Sequence, residues 1–251
     1  MKIIDGHVHI GKATWCHIDA QADLLIRAAD RAGIEKLFVT DFMALTYDMA
    51  EGNEFLRAQI QKYPDRFYGY YTVSAGRFGP WIIDQLDRYV SEYGFRGLKI
   101  YSVPPLQVID DPYMIPVIAK AAELRIPILA HSTGPECESL ARQIPEAILI
   151  NAHMGCCPQA QGDWHRSIAS AKNHPNIYLD TASSSFDNNM IETAVAEAGA
   201  EKIVYGSDLP LLDPALQIAK VTESDITQEQ KELILSGNMQ RLLSRRDSVL
   251  L

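Results

Sequence analysis

Short, nearly continuous apolar runs alternate along this chain with longer stretches whose apolar residues return at helical spacing. The runs fall at 2–10, 34–40, 67–73, 95–101, 126–131, 147–153, 176–181 and 202–205 and predict strands. The stretches at 20–32, 53–63, 81–93, 112–124, 136–143, 167–173 and 190–198 predict helices, and further helix follows to the C-terminus. Gly33 and Pro64 stand where helices should stop. Runs such as 34–39 and 147–150 carry no polar alternation, as expected of parallel strands buried on both faces.

Eight strands alternating with eight helical stretches predict an α/β protein with a parallel sheet covered by helices. Two architectures share that pattern, a single (β/α)8 TIM barrel and a doubly wound open sheet. No Gly-rich phosphate fingerprint follows the first strand, which removes one common reason to prefer the open sheet. The chain has 251 residues, close to the roughly 250 that one such barrel takes. Composition does not break anywhere, so one barrel domain over 1–251 is expected.

Charge and cysteine content narrow the setting. No apolar stretch approaches the roughly 20 residues of a membrane span, and charge interrupts the N-terminus too early for a signal-peptide core. A cytoplasmic location is the default expectation. Cys16, Cys137, Cys156 and Cys157 form no Cys-x-x-Cys pair and are expected as reduced thiols. A net charge of −9 without a basic stripe disfavours nucleic-acid binding, and with it a metal-dependent nuclease. A small acidic substrate held by a local basic group stays open.

The chemistry gathers at strand ends. His7 and His9 end the first strand, Lys99 and Tyr101 the fourth, His131 the fifth and His153 the sixth, while Asp208 follows the eighth. In a barrel these ends converge on one face. His7 and His9, two apart, point to the same side of a strand and can approach one ion together. Imidazole and carboxylate ligands suit Zn2+ and related divalent ions, so these residues predict a metal site. Asp5 shares their parity and is a candidate to orient a ligand histidine. His17 could line the pocket. His165 and His174, and the run Ser183 to Ser185, carry no assigned role.

Residues 4–9, Ile-Asp-Gly-His-Val-His, resemble the opening motif of the amidohydrolase superfamily. Residues 94–99 (GFRGLK), 128–131 (ILAH), 151–155 (NAHMG), 205–210 (YGSDLP) and 237–243 (GNMQRLL) follow in that order. They are most similar to the amidohydrolase-related branch that includes aminocarboxymuconate semialdehyde decarboxylase. The resemblance implies a mononuclear site, with zinc the expected ion, His7, His9, His131 and Asp208 as ligands, and His153 beside the metal. It implies Asp208 and His153 as the catalytic pair, with Asp208 the base towards a metal-activated water. Lys99 and Tyr101 are the substrate-binding candidates. A carboxylated Lys99 would bring a second metal, as in binuclear members of the superfamily; a lysine snorkelling from the barrel rim is the plainer alternative.

Hydrolysis of a small-molecule amide, lactone or related bond is the first reading. Non-oxidative decarboxylation of an aromatic or unsaturated acid is the alternative on the same ligands, and a barrel retained only for binding is the non-catalytic one. Loops this short also suggest a compact pocket completed by a neighbouring subunit in a homodimer.

Overall fold

The computed structural model describes residues 2–13, 15–74, 79–101, 109–156 and 163–247. The barrel strands are β1 (Ile3–Ala13), β3 (Ile34–Asp41), β4 (Phe67–Ser74), β5 (Phe95–Tyr101), β6 (Pro127–His131), β7 (Ile148–Asn151), β8 (Ile177–Asp180) and β9 (Ile203–Val204). They pair in parallel in chain order. Beyond β9 the backbone returns to β1: the Gly6 N–H donates to Tyr205, the Asp208 N–H to His7 and the His9 N–H to Leu209. A parallel bridge between Val8 and Leu209 completes that seam. The expected single (β/α)8 barrel is thus what the chain forms.

Helices α1 (Ala22–Ala32), α3 (Met49–Lys62), α4 (Pro80–Glu92), α5 (Ile115–Glu123), α6 (Gly134–Gln143), α7 (Trp164–Asn173), α8 (Met190–Ala198) and α11 (Asn238–Asp247) follow the eight barrel strands, with α9 (Pro214–Thr222) and α10 (Gln228–Glu232) between β9 and α11. Local chemistry sets their ends. Gly33 stops α1 at φ 73°, a left-handed conformation that glycine takes without strain. Thr133 and Glu136 close a capping box on α6, and Asp213 accepts from Ala215 and Leu216 at the start of α9. Two elements escape the hydrophobic pattern. A three-residue strand, β2 (Ile18–Ala20), pairs antiparallel with the end of β1, and a five-residue helix, α2 (Phe42–Thr46), follows β3. Both are shorter than the window over which periodicity can be read.

Parity explains where the site lies. Ile4, Phe38, Tyr70, Leu129, Ile150, Tyr178 and Val204 pack together inside the barrel. One pleat further along the same faces come Thr40, Thr72, His131 and Asp180. The apolar floor and the polar mouth are therefore one alternating pattern cut at the C-terminal face. β1 departs from it: its register against β3 slips between Asp5 and Val8, so β1 carries one extra residue there. Such a bulge reverses the face of everything before it. Asp5 consequently does not share the side of His9, contrary to the simple alternation of the sequence.

The same strand ends meet a close contact behind the site. Gly11 has φ 85°, and a Cβ there would lie 2.3 Å from Asp41 Oδ2. Asp41 caps α2 by accepting from the Ala44 N–H, and burial raises its carboxyl to about 6. A folded-state value above the unfolded one means the native chain binds the extra proton. Its stabilising contribution is therefore complete below about pH 4 and lost as pH rises through about 6, a difference of about 3 kcal/mol. Urea unfolding across pH 4–7 should show Asp41→Asn with a flatter profile than wild type, since asparagine keeps the cap oxygen and cannot ionise. Parallel profiles for the two proteins would contradict this account.

Candidate metal centre and active site

His7, His9 and Asp208 come together at the barrel mouth. Their donor atoms all lie within 4.8 Å of one another, and all three residues are buried. Asp208 Oδ1 is 3.0 Å from His9 Nε2 and 3.7 Å from His7 Nε2. Ligands bound at roughly 2.0–2.2 Å around one ion would lie about 3.0–3.6 Å apart, so the observed spacings bracket that edge. Asp208 adopts φ 60°. That left-handed turn follows the closing seam and aims its carboxylate back across β1.

Each histidine is held by its far nitrogen. His7 Nδ1–H donates to Asp180 Oδ2 at 2.6 Å. Asp180 can only accept when ionised, which leaves Nε2 of His7 with its lone pair facing Asp208. His9 Nδ1 meets Thr40 Oγ1 at 2.6 Å, and Thr40 in turn donates to the Val8 carbonyl at 3.3 Å. With its hydrogen on the Val8 carbonyl, Thr40 would accept from His9 and leave that Nε2 as a lone pair too. Burial pushes His7 well below the ordinary imidazole value and His9 below it as well. Asp208 is driven up by burial, but its His9 contact and the surrounding positive groups outweigh that and hold it low.

Two imidazole nitrogens and an ionised carboxylate thus converge, with the Lys99 ammonium 3.3 Å from His7 Nε2. Asp208 Oδ1 has no hydrogen-bond donor among the described residues. That is the donor set of a divalent cation, and the residues fit one.

The remaining expectations are placed as follows. His131 stands at the cavity wall, its ring 4.9 Å from Tyr101 and 5.3 Å from His153, outside the three-residue donor group. His153 lies past the end of β7, in a short 3-10 turn (Ala152–Gly155) with φ 60°, and not on the strand itself. Its Nδ1–H donates to the Ala182 carbonyl and its backbone N–H to Asp180 Oδ1. Lys99 is only 1% exposed and its Nζ is 3.3 Å from His7 Nε2, so it does not snorkel from the rim. Burial lowers its ammonium to about 8.

Asp5 holds no imidazole; its Oδ1 accepts from the backbone N–H groups of His7 and Ser207, tying β1 to the seam. His17 is exposed, and Trp15 lines the pocket in its place. His165 is exposed against Trp164. Cys16, Cys137 and Cys156 are thiols, and Cys157 lies outside the described residues.

Asp180 and Thr40 are the functional residues that the sequence reading passes over. Asp180 obeys the strand-end rule, yet a carboxylate there reads equally well as a strand stop. The other group of potential ligands, His7, His153 and Asp180, is this orienting network: both Asp180 oxygens are already bound to N–H donors.

The donor cluster opens into a cavity of about 180 Å³ lined by Trp15, Phe42, Leu45, Lys99, Tyr101 and Leu211 with the four histidines and Asp208. Ligand pockets commonly run from roughly 300 to 1,000 Å³, so this one suits a small, compact molecule. Phe42 stacks on His9 at 4.8 Å, and Trp15 meets Phe42 edge-on. No helix among the described residues is long and apolar enough to cross a membrane.

Residues 4–245 match the model of the amidohydrolase family. No curated protein matches the sequence at a significant level. Among solved structures, 2,6-dihydroxybenzoate decarboxylase from Rhizobium superposes with a TM-score of 0.74 at 16% identity, covering 97% of this chain and 98% of that one. Dihydroxybenzoic acid decarboxylase from Polaromonas sp. JS666, with bound manganese and the inhibitor 2-nitroresorcinol, gives 0.75 at 18% identity, with 97% of each chain covered. 4-Oxalomesaconate hydratase from Rhodopseudomonas palustris gives 0.72 at 19% identity, covering 99% of this chain and 97% of that one. At these identities the likeness is one of fold.

Proposed function

The chain belongs to the amidohydrolase family, and from that premise we propose that it is a metal-dependent decarboxylase of a small planar carboxylic acid, aromatic or unsaturated. The observation that carries this is the cavity itself. A single divalent-cation donor set, a buried ammonium and an aromatic wall share one space of about 180 Å³. The decarboxylases among its structural neighbours support the same reading. Hydrolysis, the first reading of the sequence, uses the same donors but gives no reason for so small and aromatic a wall.

His7, His9 and Asp208 would hold the ion, with His131 at the wall as a further ligand. The set accommodates zinc, and the manganese of the Polaromonas neighbour shows that the fold also takes that ion. When bound, the ion supplies a Lewis acid that draws electron density from the substrate. Lys99 places a second positive group beside it, suited to a substrate carboxylate or an adjacent hydroxyl. Trp15, Phe42, Leu45 and Leu211 keep water from the acid, which favours loss of neutral CO2 over retention of the charged carboxylate.

The bond from carbon to the carboxylate breaks, its electron pair stays on that carbon, and the carbon takes up a proton. No oxidant and no water is consumed. With Asp208 committed to the ion as its anionic ligand, His153, which faces the same cavity, is left as the proton carrier. This moves Asp208 away from the base role that hydrolysis would give it.

The test is a panel of single-ring hydroxybenzoates and unsaturated acids set against amides and lactones of similar size, with the metal-loaded protein in D2O. CO2 release with one deuterium at the vacated carbon is expected. Amide or lactone turnover with solvent oxygen in the product, and no CO2 from any acid, would reverse the assignment.

A further inference from the structure

Behind the cavity, on the far side of the segment that leaves β8, Lys220 of α9 is sunk among oxygens. Its Nζ donates to the carbonyls of Thr181 at 3.1 Å and Ser183 at 2.9 Å, and to Gln217 Oε1 at 3.0 Å. Gln217, itself buried, donates to the Ser183 carbonyl at 3.2 Å. Phe186 covers the ammonium at 5.1 Å from its ring centre. Among the described residues Lys220 makes no ion pair. Lys220 is half-buried, and an ammonium that gives up part of its hydration without an ion pair is costly to keep, so its two hydrogen bonds to one short segment call for a reason.

The reason lies in the carbonyl between the two. Along residues 181–183 the carbonyls of Thr181 and Ser183 face α9, while that of Ala182 faces the opposite way and accepts the Nδ1–H of His153. Asp180 fixes the same piece from below, accepting the N–H groups of Ala182 at 2.8 Å and His153 at 2.9 Å. With the outer two carbonyls held, the φ and ψ angles on either side of the inner peptide are restricted, and releasing them frees the inner carbonyl to leave His153.

We propose that Lys220 is a positioning residue for His153: it locks the carbonyl alternation that keeps the Ala182 oxygen on His153 Nδ1 and therefore presents Nε2 to the cavity. This rests on the proton-carrier role given to His153 above. The ammonium does not touch substrate; it sets the tautomer of the group that does.

The tautomer is measured directly by multiple-bond 1H–15N NMR of the histidine rings, assigned through His153→Gln. In wild type the His153 pattern should be that of an Nδ1-protonated ring. In Lys220→Met it should become a mixture of both tautomers, with kcat reduced roughly tenfold, KM changed less than about twofold, and metal content unchanged. Lys220→Arg should recover most of the rate. If Lys220→Met does not fold, Lys220→Gln, which keeps two N–H donors without the charge, carries the same measurement. An unchanged His153 tautomer in the folded variant would overturn the proposal. The ring spectra decide this even if no acid on the panel loses CO2, so failure of the reaction and failure of the clamp are told apart.

Discussion

Asp208→Ala should leave a folded barrel that no longer holds its metal and whose CO2 release has fallen by more than about 100-fold. Losing a partner that merely orients a ligand typically reduces metal affinity or activity about 10–100-fold, and the removal of a donor atom should exceed that. Asp208 supplies the anionic donor of the group formed with His7 and His9. Without it, only neutral imidazoles, those of His7 and His9 with His131 at the wall, remain to hold a dication. The fold should survive because burial keeps His7 and His9 uncharged, and Asp180 remains to offset the buried Lys99 ammonium when the Asp208 carboxylate goes. The check is elemental analysis per chain on wild type and variant, beside a thermal melt in chelator. About one equivalent falling to none supports a single site. Two equivalents in wild type would return Lys99 to the role of a carboxylated bridge. A full equivalent retained by Asp208→Ala would dissolve the proposed ligand set.

Asp180→Asn should be nearly as damaging, although it changes one atom and touches no metal. The asparagine oxygen can still accept the N–H groups of Ala182 and His153 that Asp180 Oδ1 holds. The other side now offers an NH2 group to His7 Nδ1, where the carboxylate oxygen had accepted at 2.6 Å. Two donors cannot face each other. His7 must give up the proton at Nδ1 and carry it at Nε2, which removes the lone pair directed at the ion. Metal affinity and turnover are expected to fall about 10–100-fold, with stability lowered by about 1–3 kcal/mol from the altered buried network. Apparent metal affinity by titration and unfolding in urea separate the two effects. Unchanged metal affinity would show that His7 binds without help from Asp180.

What the sequence makes legible is what position alone determines. His9 sits near the end of the parallel pairing of β1, with His7 one pleat before it and Asp208 just past β9, and a barrel brings those levels together, so their meeting can be read without coordinates. Asp180 and Thr40 belong to another kind of knowledge. Their roles depend on how far a side chain reaches across the barrel and which ring nitrogen it meets, and no spacing along the chain encodes that. The bulge in β1 is hidden for a related reason: one extra residue changes the face of Asp5 without changing the apolar look of the strand. The left-handed turn at His153 is carried by an ordinary Ala-His-Met run with no glycine at the position to announce it. Lys99 looks like a rim lysine until its neighbours are seen to bury it. The choice between hydrolysis and decarboxylation was out of reach of the donors, since both reactions need the same ones. The proposal of decarboxylation rests on the size and lining of the cavity, assembled from β1, β5 and the turns after β3 and β9, and on the decarboxylases among the structural neighbours.

The seam between β1 and the segment after β9 has a consequence for how the protein is made. His7 and His9 leave the ribosome about 200 residues before Asp208, and backbone hydrogen bonds between those two regions close the barrel. Contacts so distant in sequence are slow to form, and domains generally organise during synthesis from the N-terminus onward. A nascent chain therefore carries two exposed imidazoles until Asp208 is made, without the carboxylate that would make them a selective cation trap. The reactive centre comes into being at the moment of ring closure, so the event that completes the fold also switches on the chemistry.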